Sequence, residues 1–280
     1  MVSSAAPNDR QYATALARGF IGALIFGIPL LMTMEMWELG FRADPLRLAL
    51  FLVLGWPLLT GLSYFSGFRR TFCLQDDLLD AAAAYALGFV ASGVLLFAIG
   101  VLEPGMGLRE IIGKISVQAL PCAIGAMLAR SQLSGGGVQN ELDRQTRKDR
   151  STYGGELFLM AVGALFLAFN VAPTEEASVI AHQMSEVQAI VLAAASVLML
   201  HLVVFNLGFE GQEDGHPSGS AFRTFLFYTM AGYGLVLLIG LYVLWTFGST
   251  DGASLITITK TAVVLGLPAS LGAALARLLI

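Results

Sequence analysis

The feature that most constrains this chain is a series of eight apolar stretches, each about 20 residues long. A helix needs roughly 20 mostly apolar residues to cross the hydrocarbon core of a bilayer, which is about 30 Å thick. The stretches run over residues 16–36, 46–65, 79–102, 111–130, 153–172, 187–209, 222–247 and 255–278. The sequence therefore predicts an all-α membrane protein with eight transmembrane helices, called spans 1 to 8 below.

The composition excludes several classes of soluble protein. Apolar residues make up 56% of the chain and charged residues 13%, against about 25% charged residues in a typical soluble domain. The formal charge of −4 leaves no basic excess to neutralise phosphates, which argues against a nucleic-acid partner. Two cysteines cannot form a disulfide scaffold. The predicted partners are the lipid bilayer and a small cation.

The basic residues predict how the chain is oriented in the membrane. With eight spans both termini lie on one side, and that side carries eleven Lys and Arg residues against five on the other. The positive-inside rule then places both termini in the cytoplasm. The longest polar stretch, residues 131–152, becomes a cytoplasmic linker, which is either a solvated connection or a docking segment for a partner.

The linker separates two halves, residues 1–130 and 153–280, which resemble each other in sequence. An offset of 141 aligns Gly22 with Gly163 and Thr33-Met34-Glu35 with Thr174-Glu175-Glu176. An offset of 147 aligns Pro121 with Pro268 and residues 125–130 with 272–277. Matches that follow in order at two constant offsets indicate an internal duplication. Because each half has an even number of spans, the sequence predicts two parallel four-helix repeats.

Carboxylates at the outer ends of spans 1 and 5 form the first candidate site. Glu35 and Glu176 occupy equivalent positions, Glu175 adds a further carboxylate, and Thr33 and Thr174 add hydroxyls. If spans 1 and 5 meet at the symmetry axis, the two equivalent glutamates face each other, and such a pair holds a proton tightly or recruits a cation. Carboxylate oxygens suit Ca²⁺, while H⁺ and K⁺ are the other candidates. The alternative is a set of ordinary glutamates in water at a helix end.

Paired prolines form the second candidate site, deeper in spans 4 and 8. Pro121 and Pro268 lack an N–H, so each frees the carbonyl four residues earlier, at Val117 and Val264. Interrupted helices at matched positions of two halves are a pointer to a transport site. The alternative is a pair of packing kinks, which are common in membrane helices.

Three basic side chains complete the candidates. Lys114 and Lys260 lie near the outer ends of spans 4 and 8, where they either gate the site by pairing with Glu35 or Glu176 or extend to the interface. His201 in span 6 is either a proton relay or a single hydrogen-bonded helix histidine.

These features favour one function over two alternatives. The first hypothesis is a channel or transporter for a cation or a proton, with its route between the two repeats and with or without assembly into a homo-oligomer. The second is a non-conducting sensor or assembly protein that docks a partner through residues 131–152. The sequence contains no nucleophile elbow, no His-Glu-x-x-His motif and no Walker loop. An intramembrane enzyme therefore comes third, and we expect no catalytic activity.

The chain also resembles a bacterial family of integral membrane proteins of unknown function. The resemblance rests on residues 29–37 (PLLMTMEMW), on residues 172–176 (APTEE) and on the eight-span layout. It implies a location in the bacterial inner membrane and assigns no role to any residue.

Overall fold

The structure is a computed structural model, and it describes residues 9–66, 74–133, 153–205 and 225–278. Every regular element in these ranges is helical. In chain order the elements are α1 (Asp9–Leu31), α2 (Met34–Arg42), α3 (Pro45–Ser66), α4 (Leu74–Ala98), α5 (Leu108–Leu133), α6 (Tyr153–Phe169), α7 (Glu176–Gln183), α8 (Glu186–Phe205), a π-helical segment (Phe225–Met230), α9 (Ala231–Thr246) and α10 (Leu255–Leu278).

Seven helical stretches among the described residues are long and apolar enough to cross a membrane. They are carried by α1, α3, α4, α5, α8, the π-helical segment with α9, and α10. Predicted span 5 falls on α6, which is apolar but has only 17 residues. The all-helical architecture expected from the sequence is confirmed, whereas the count of eight spans stays a prediction.

The sequence predicts that span 1 extends to Met36, and this boundary is wrong. Helix α1 ends at Leu31, and a separate short helix begins at Met34. Two side chains donate hydrogen bonds to backbone carbonyl oxygens in the last turn of α1, where the regular helical N–H donors are missing. The Thr33 hydroxyl donates to the Leu30 carbonyl oxygen at 2.7 Å, and the Trp37 indole N–H donates to the Leu31 carbonyl oxygen at 2.7 Å. The chain therefore turns into α2 with both of these carbonyls paired.

Span 5 ends early for the same reason. Helix α6 stops at Phe169, three residues short of the predicted boundary at residue 172. The Asn170 side-chain amide donates to the Phe166 carbonyl oxygen at 2.9 Å, and the Thr174 hydroxyl donates to the Val171 carbonyl oxygen at 2.8 Å. A second short helix, α7, follows.

The helices form two compact units, residues 1–42 with 49–136 and residues 43–48 with 137–280. In the first unit α5 packs against α1, α2 and α4. In the second unit α10 packs against α6, α7, α8 and α9. Each unit is thus organised around its last long helix, and that helix carries a proline within it.

Glycine allows close helix contacts in both units. A Cβ atom added to Gly22 of α1 would lie 2.8 Å from the Gly125 carbonyl oxygen of α5. A Cβ atom added to Gly163 of α6 would lie 2.8 Å from the Gly272 carbonyl carbon of α10. Lipid provides no hydrophobic driving force for helix pairing, so close backbone approach through small residues is a main source of stability in membranes.

Candidate functional site

Glu35 lies in the first turn of α2 rather than at the end of a membrane span. Its side chain is half-buried, and the next residue, Met36, is fully buried in the first unit. An acidic side chain in the first turn of a helix lies close to the unpaired backbone N–H groups at the helix N-terminus. The neighbouring Thr33 hydroxyl is already engaged by the Leu30 carbonyl oxygen.

Glu175 and Glu176 lie at the start of α7, and both side chains are exposed. The neighbouring Thr174 hydroxyl, followed by the backbone N–H of Glu176, lowers the pKa of the Glu176 carboxyl below its ordinary value of 4.5. The carboxylate and the Val171 carbonyl oxygen compete for the single proton of the Thr174 hydroxyl. Glu176 therefore carries a negative charge at neutral pH.

Glu35 belongs to the first unit and Glu176 to the second, so their predicted pairing stays a prediction. Within the described residues, no group of three His, Cys, Asp or Glu side chains is placed to hold a metal ion.

The two prolines lie inside helices that continue past them. Helix α5 runs from Leu108 to Leu133 through Pro121, and α10 runs from Leu255 to Leu278 through Pro268. The residues whose carbonyls lose a donor are buried, with Val117 at 0% and Val264 at 8% exposure. The prolines thus leave each helix whole and remove one hydrogen bond inside it.

Gln118 of α5 is a polar residue that the sequence analysis missed. It is fully buried, and both its amide nitrogen and its amide oxygen lack a hydrogen-bond partner. It lies one turn before Cys122 in α5. The Cys122 sulfur packs against Gly27 of α1, where it takes up the space that a Cβ atom would need. The available signal was a lone amide within an apolar, proline-containing stretch.

The second unit also holds a buried hydroxyl without a hydrogen-bond partner. Ser270 of α10 is fully buried, and its hydroxyl makes no hydrogen bond. It lies one turn after Gly266, where an added Cβ would be 3.5 Å from the hydroxyl oxygen of Tyr233. The Tyr233 hydroxyl itself interacts with the side chain of Ser196.

The two candidate gate lysines have different surroundings. The Lys114 ammonium forms an ion pair with Glu110, one turn earlier in α5, at 2.7 Å. The Lys260 ammonium donates to the Met184 carbonyl oxygen at 2.7 Å and so ties α10 to the residue that ends α7. Lys260 thereby satisfies a carbonyl at a helix terminus.

A cavity of about 280 Å³ lies between α2 and the first turns of α5. It also contains a second ion pair, in which the Arg42 guanidinium lies 2.6 Å from the Glu38 carboxylate. Both pairs have the i, i+4 spacing of neighbours on a helix face, a signal that the sequence itself contains. The lining residues are Met34, Trp37, Glu38, Phe41, Arg42, Glu110 and Lys114.

His201 of α8 is held by the π-helical segment. Its Nδ1 lies 2.9 Å from the hydroxyl oxygen of Thr229, which is buried, and its ring meets the edge of Phe225 with 5.2 Å between centroids. This geometry supports the interpretation of His201 as a packing residue that joins two helices.

The partner-docking hypothesis falls largely on residues 134–152, which lie outside the described residues, so it stays a prediction.

One family description covers nearly the whole chain. The family described as "Putative integral membrane protein (DUF2391)" matches residues 15–280. The chain belongs to this family. It is therefore an integral membrane protein, and the resemblance noted from residues 29–37 and 172–176 is confirmed. No curated protein and no solved structure matches it.

Proposed function

We propose that this member of the family moves a small cation or a proton across the membrane. The observation that carries the proposal is the buried amide of Gln118, which has no partner although it lies in a membrane-crossing helix. An unpaired buried polar group costs about 1–3 kcal/mol. Leucine would fill similar space without that cost, so a purely structural role gives no reason for an amide here.

The backbone next to Gln118 adds a second oxygen. Pro121 cannot donate to the carbonyl of Val117, which directly precedes Gln118 in the chain. Backbone groups inside a membrane need partners in protein, water or an ion. Carbonyl and amide oxygens are also the groups that replace the hydration shell of a permeating cation. This stretch of α5 therefore offers two oxygen acceptors to a hydrated ion or to a water chain.

The proposal extends to the second half through the inferred duplication, which gives eight spans in two parallel four-helix repeats. Pro268 corresponds to Pro121, and Ser270 lies two residues after it with an unpaired hydroxyl. The close helix contacts at Gly22 and Gly163, which correspond at the offset of 141, support the same duplication.

At the outer face, Glu35 and Glu176 are the proposed acidic pair that attracts the cation, with both termini in the cytoplasm of a bacterial cell. The lowered pKa of Glu176 supports a carboxylate that is ionised at neutral pH. A carboxylate that stays ionised at neutral pH attracts cations and does not respond to small changes in pH, so the lowered pKa favours cation attraction over proton sensing.

Flux through the purified, reconstituted protein tests the role of Gln118. We expect Gln118→Leu to lower cation or proton flux at least about tenfold while leaving unfolding stability unchanged or raised, because an unpaired amide is removed. Gln75→Leu is the matched control, since Gln75 is an exposed amide in the first turn of α4. Unchanged flux in the Gln118 variant, whatever its stability, would refute the proposed role.

A further inference from the structure

The cavity between α2 and α5 has features of a built ligand site. Its walls combine two bases, two acids and two aromatic rings around about 280 Å³, close to the lower end of the range for small-molecule pockets. We propose that it binds the zwitterionic headgroup of a phospholipid, a phosphodiester joined to a primary ammonium. This binding is separate from ion movement and does not depend on it.

The distribution of charge selects a ligand that carries both signs. Helix α2 contributes Arg42 and Glu38, and α5 contributes Lys114 and Glu110. Each helix thus supplies one base and one acid, and the formal charge of the wall is zero. A purely anionic ligand would be attracted by the bases and repelled by the acids, whereas a zwitterion can complement both.

The two ion pairs differ in depth. The Lys114 side chain is 11% exposed and its partner Glu110 is 29% exposed, while Arg42 is 64% exposed and Glu38 is 48% exposed. A nearly buried ammonium loses hydration and gains from any further anionic oxygen that reaches it. A phosphate entering from the Arg42 side would meet the guanidinium fork first, and this fork matches phosphate oxygens in a bidentate manner.

Aromatic side chains complete the part of the cavity that would hold the primary ammonium of the lipid headgroup. The Trp37 indole N–H is held by the Leu31 carbonyl oxygen at 2.7 Å, which fixes the ring at the cavity wall beside Phe41. Ring faces attract ammonium groups, and the attraction is stronger where the group is desolvated. The carboxylates of Glu38 and Glu110 supply the opposite charge.

The position of the cavity favours a lipid over a soluble zwitterion. Helix α2 connects α1 and α3, both long enough to cross the membrane, and the cavity also borders the first turns of α5. It therefore lies where membrane helices end, at the level of headgroups. Met34 and Phe41 at the cavity are 59% and 64% exposed, and these apolar side chains suit contact with the acyl chains of a bound lipid.

Native mass spectrometry of the purified full-length chain, titrated with defined lipids, tests the site. The probes are phosphatidylethanolamine, phosphatidylglycerol and free phosphoethanolamine. We expect wild type to bind phosphatidylethanolamine about tenfold or more tightly than phosphatidylglycerol, which corresponds to about 1.4 kcal/mol. Arg42→Ala is the main variant because the side chain of Arg42 is mostly exposed, and Arg42→Gln/Lys114→Gln removes both bases. Arg109→Gln, an exposed base next to Glu110 but outside the cavity, is the control.

The proposal expects weaker phosphatidylethanolamine binding in Arg42→Ala, a loss of about tenfold or more in the double variant, and binding within about twofold of wild type in Arg109→Gln. Equal affinity for the two lipids would overturn the selection of a zwitterion. Binding of free phosphoethanolamine as tight as that of the lipid would overturn the lipid assignment. Unchanged binding in Arg42→Ala would remove the cavity as the site.

Discussion

Two identical substitutions, Gly163→Ala in α6 and Gly234→Ala in α9, should change stability in opposite directions. At Gly163 the new Cβ would overlap the Gly272 carbonyl oxygen and lie 2.5 Å from the Ala276 Cβ. Since one obstacle is backbone, α6 and α10 must move apart. At Gly234 no heavy atom lies within 4 Å of the new Cβ, so nothing has to move.

The magnitudes follow from these contacts. Overpacking a tight contact costs about 1–3 kcal/mol, and the Gly163 site belongs at the upper end because a carbonyl cannot rotate away. Alanine regains up to about 1 kcal/mol over glycine within a helix. We therefore expect a net loss of about 1–2 kcal/mol for Gly163→Ala and a gain of up to about 1 kcal/mol for Gly234→Ala.

Reversible unfolding in mixed micelles with increasing SDS, followed by circular dichroism, measures both variants. Gly22→Ala provides a second case in the first unit, where the added Cβ would overlap Ala129. Equal stability of Gly163→Ala and Gly234→Ala would contradict the close approach of α6 and α10 at Gly163.

Three further predictions concern individual side chains. Replacing Thr174 by valine should raise the pKa of Glu176 toward 4.5, as followed by ¹³C NMR of the carboxyl. A carboxyl whose pKa is lowered in the folded state stabilises that state at pH values above the unfolded pKa. The small stabilising contribution of Glu176 should therefore be lost as the pH falls through its folded pKa. An unchanged Glu176 pKa in the valine variant would show that the Thr174 hydroxyl donates only to the Val171 carbonyl oxygen. Within the second unit, the Arg47 guanidinium donates two hydrogen bonds of 3.0 Å to the Asp251 carboxylate and lies 4.9 Å from the centre of the Trp245 ring. A double-mutant cycle of Arg47 and Asp251 should therefore give a coupling energy of about 0.5–1 kcal/mol that decreases in high salt. A coupling energy of zero would contradict this ion pair. His201→Phe should lower stability by about 1 kcal/mol in the same SDS assay and leave proton flux intact, whereas loss of flux with intact stability would identify a relay.

The long helices could be predicted from the sequence because their signal is additive over about 20 residues. The stretch from Leu255 to Leu278 was predicted with the boundaries that the structure gives to α10. Family membership was also predictable, since the two short motifs lie in the matched region, residues 15–280.

The short helices α2 and α7 could not be predicted in this way. The chain stays apolar through Leu31-Met32-Thr33-Met34, so hydropathy continues where the helix stops. The break depends on side chains that return to the backbone, such as the Trp37 indole on the Leu31 carbonyl. Such a contact depends on tertiary geometry rather than on periodicity. For the same reason the isolation of the Gln118 amide became visible only with its neighbours in place.

Ion flux through wild-type protein in liposomes, under imposed K⁺, Ca²⁺ and H⁺ gradients in turn, tests the proposed function most directly. We expect at least one of the three ions to cross faster than in protein-free liposomes of the same lipid composition. Rates equal to the protein-free rates for all three ions would contradict the account.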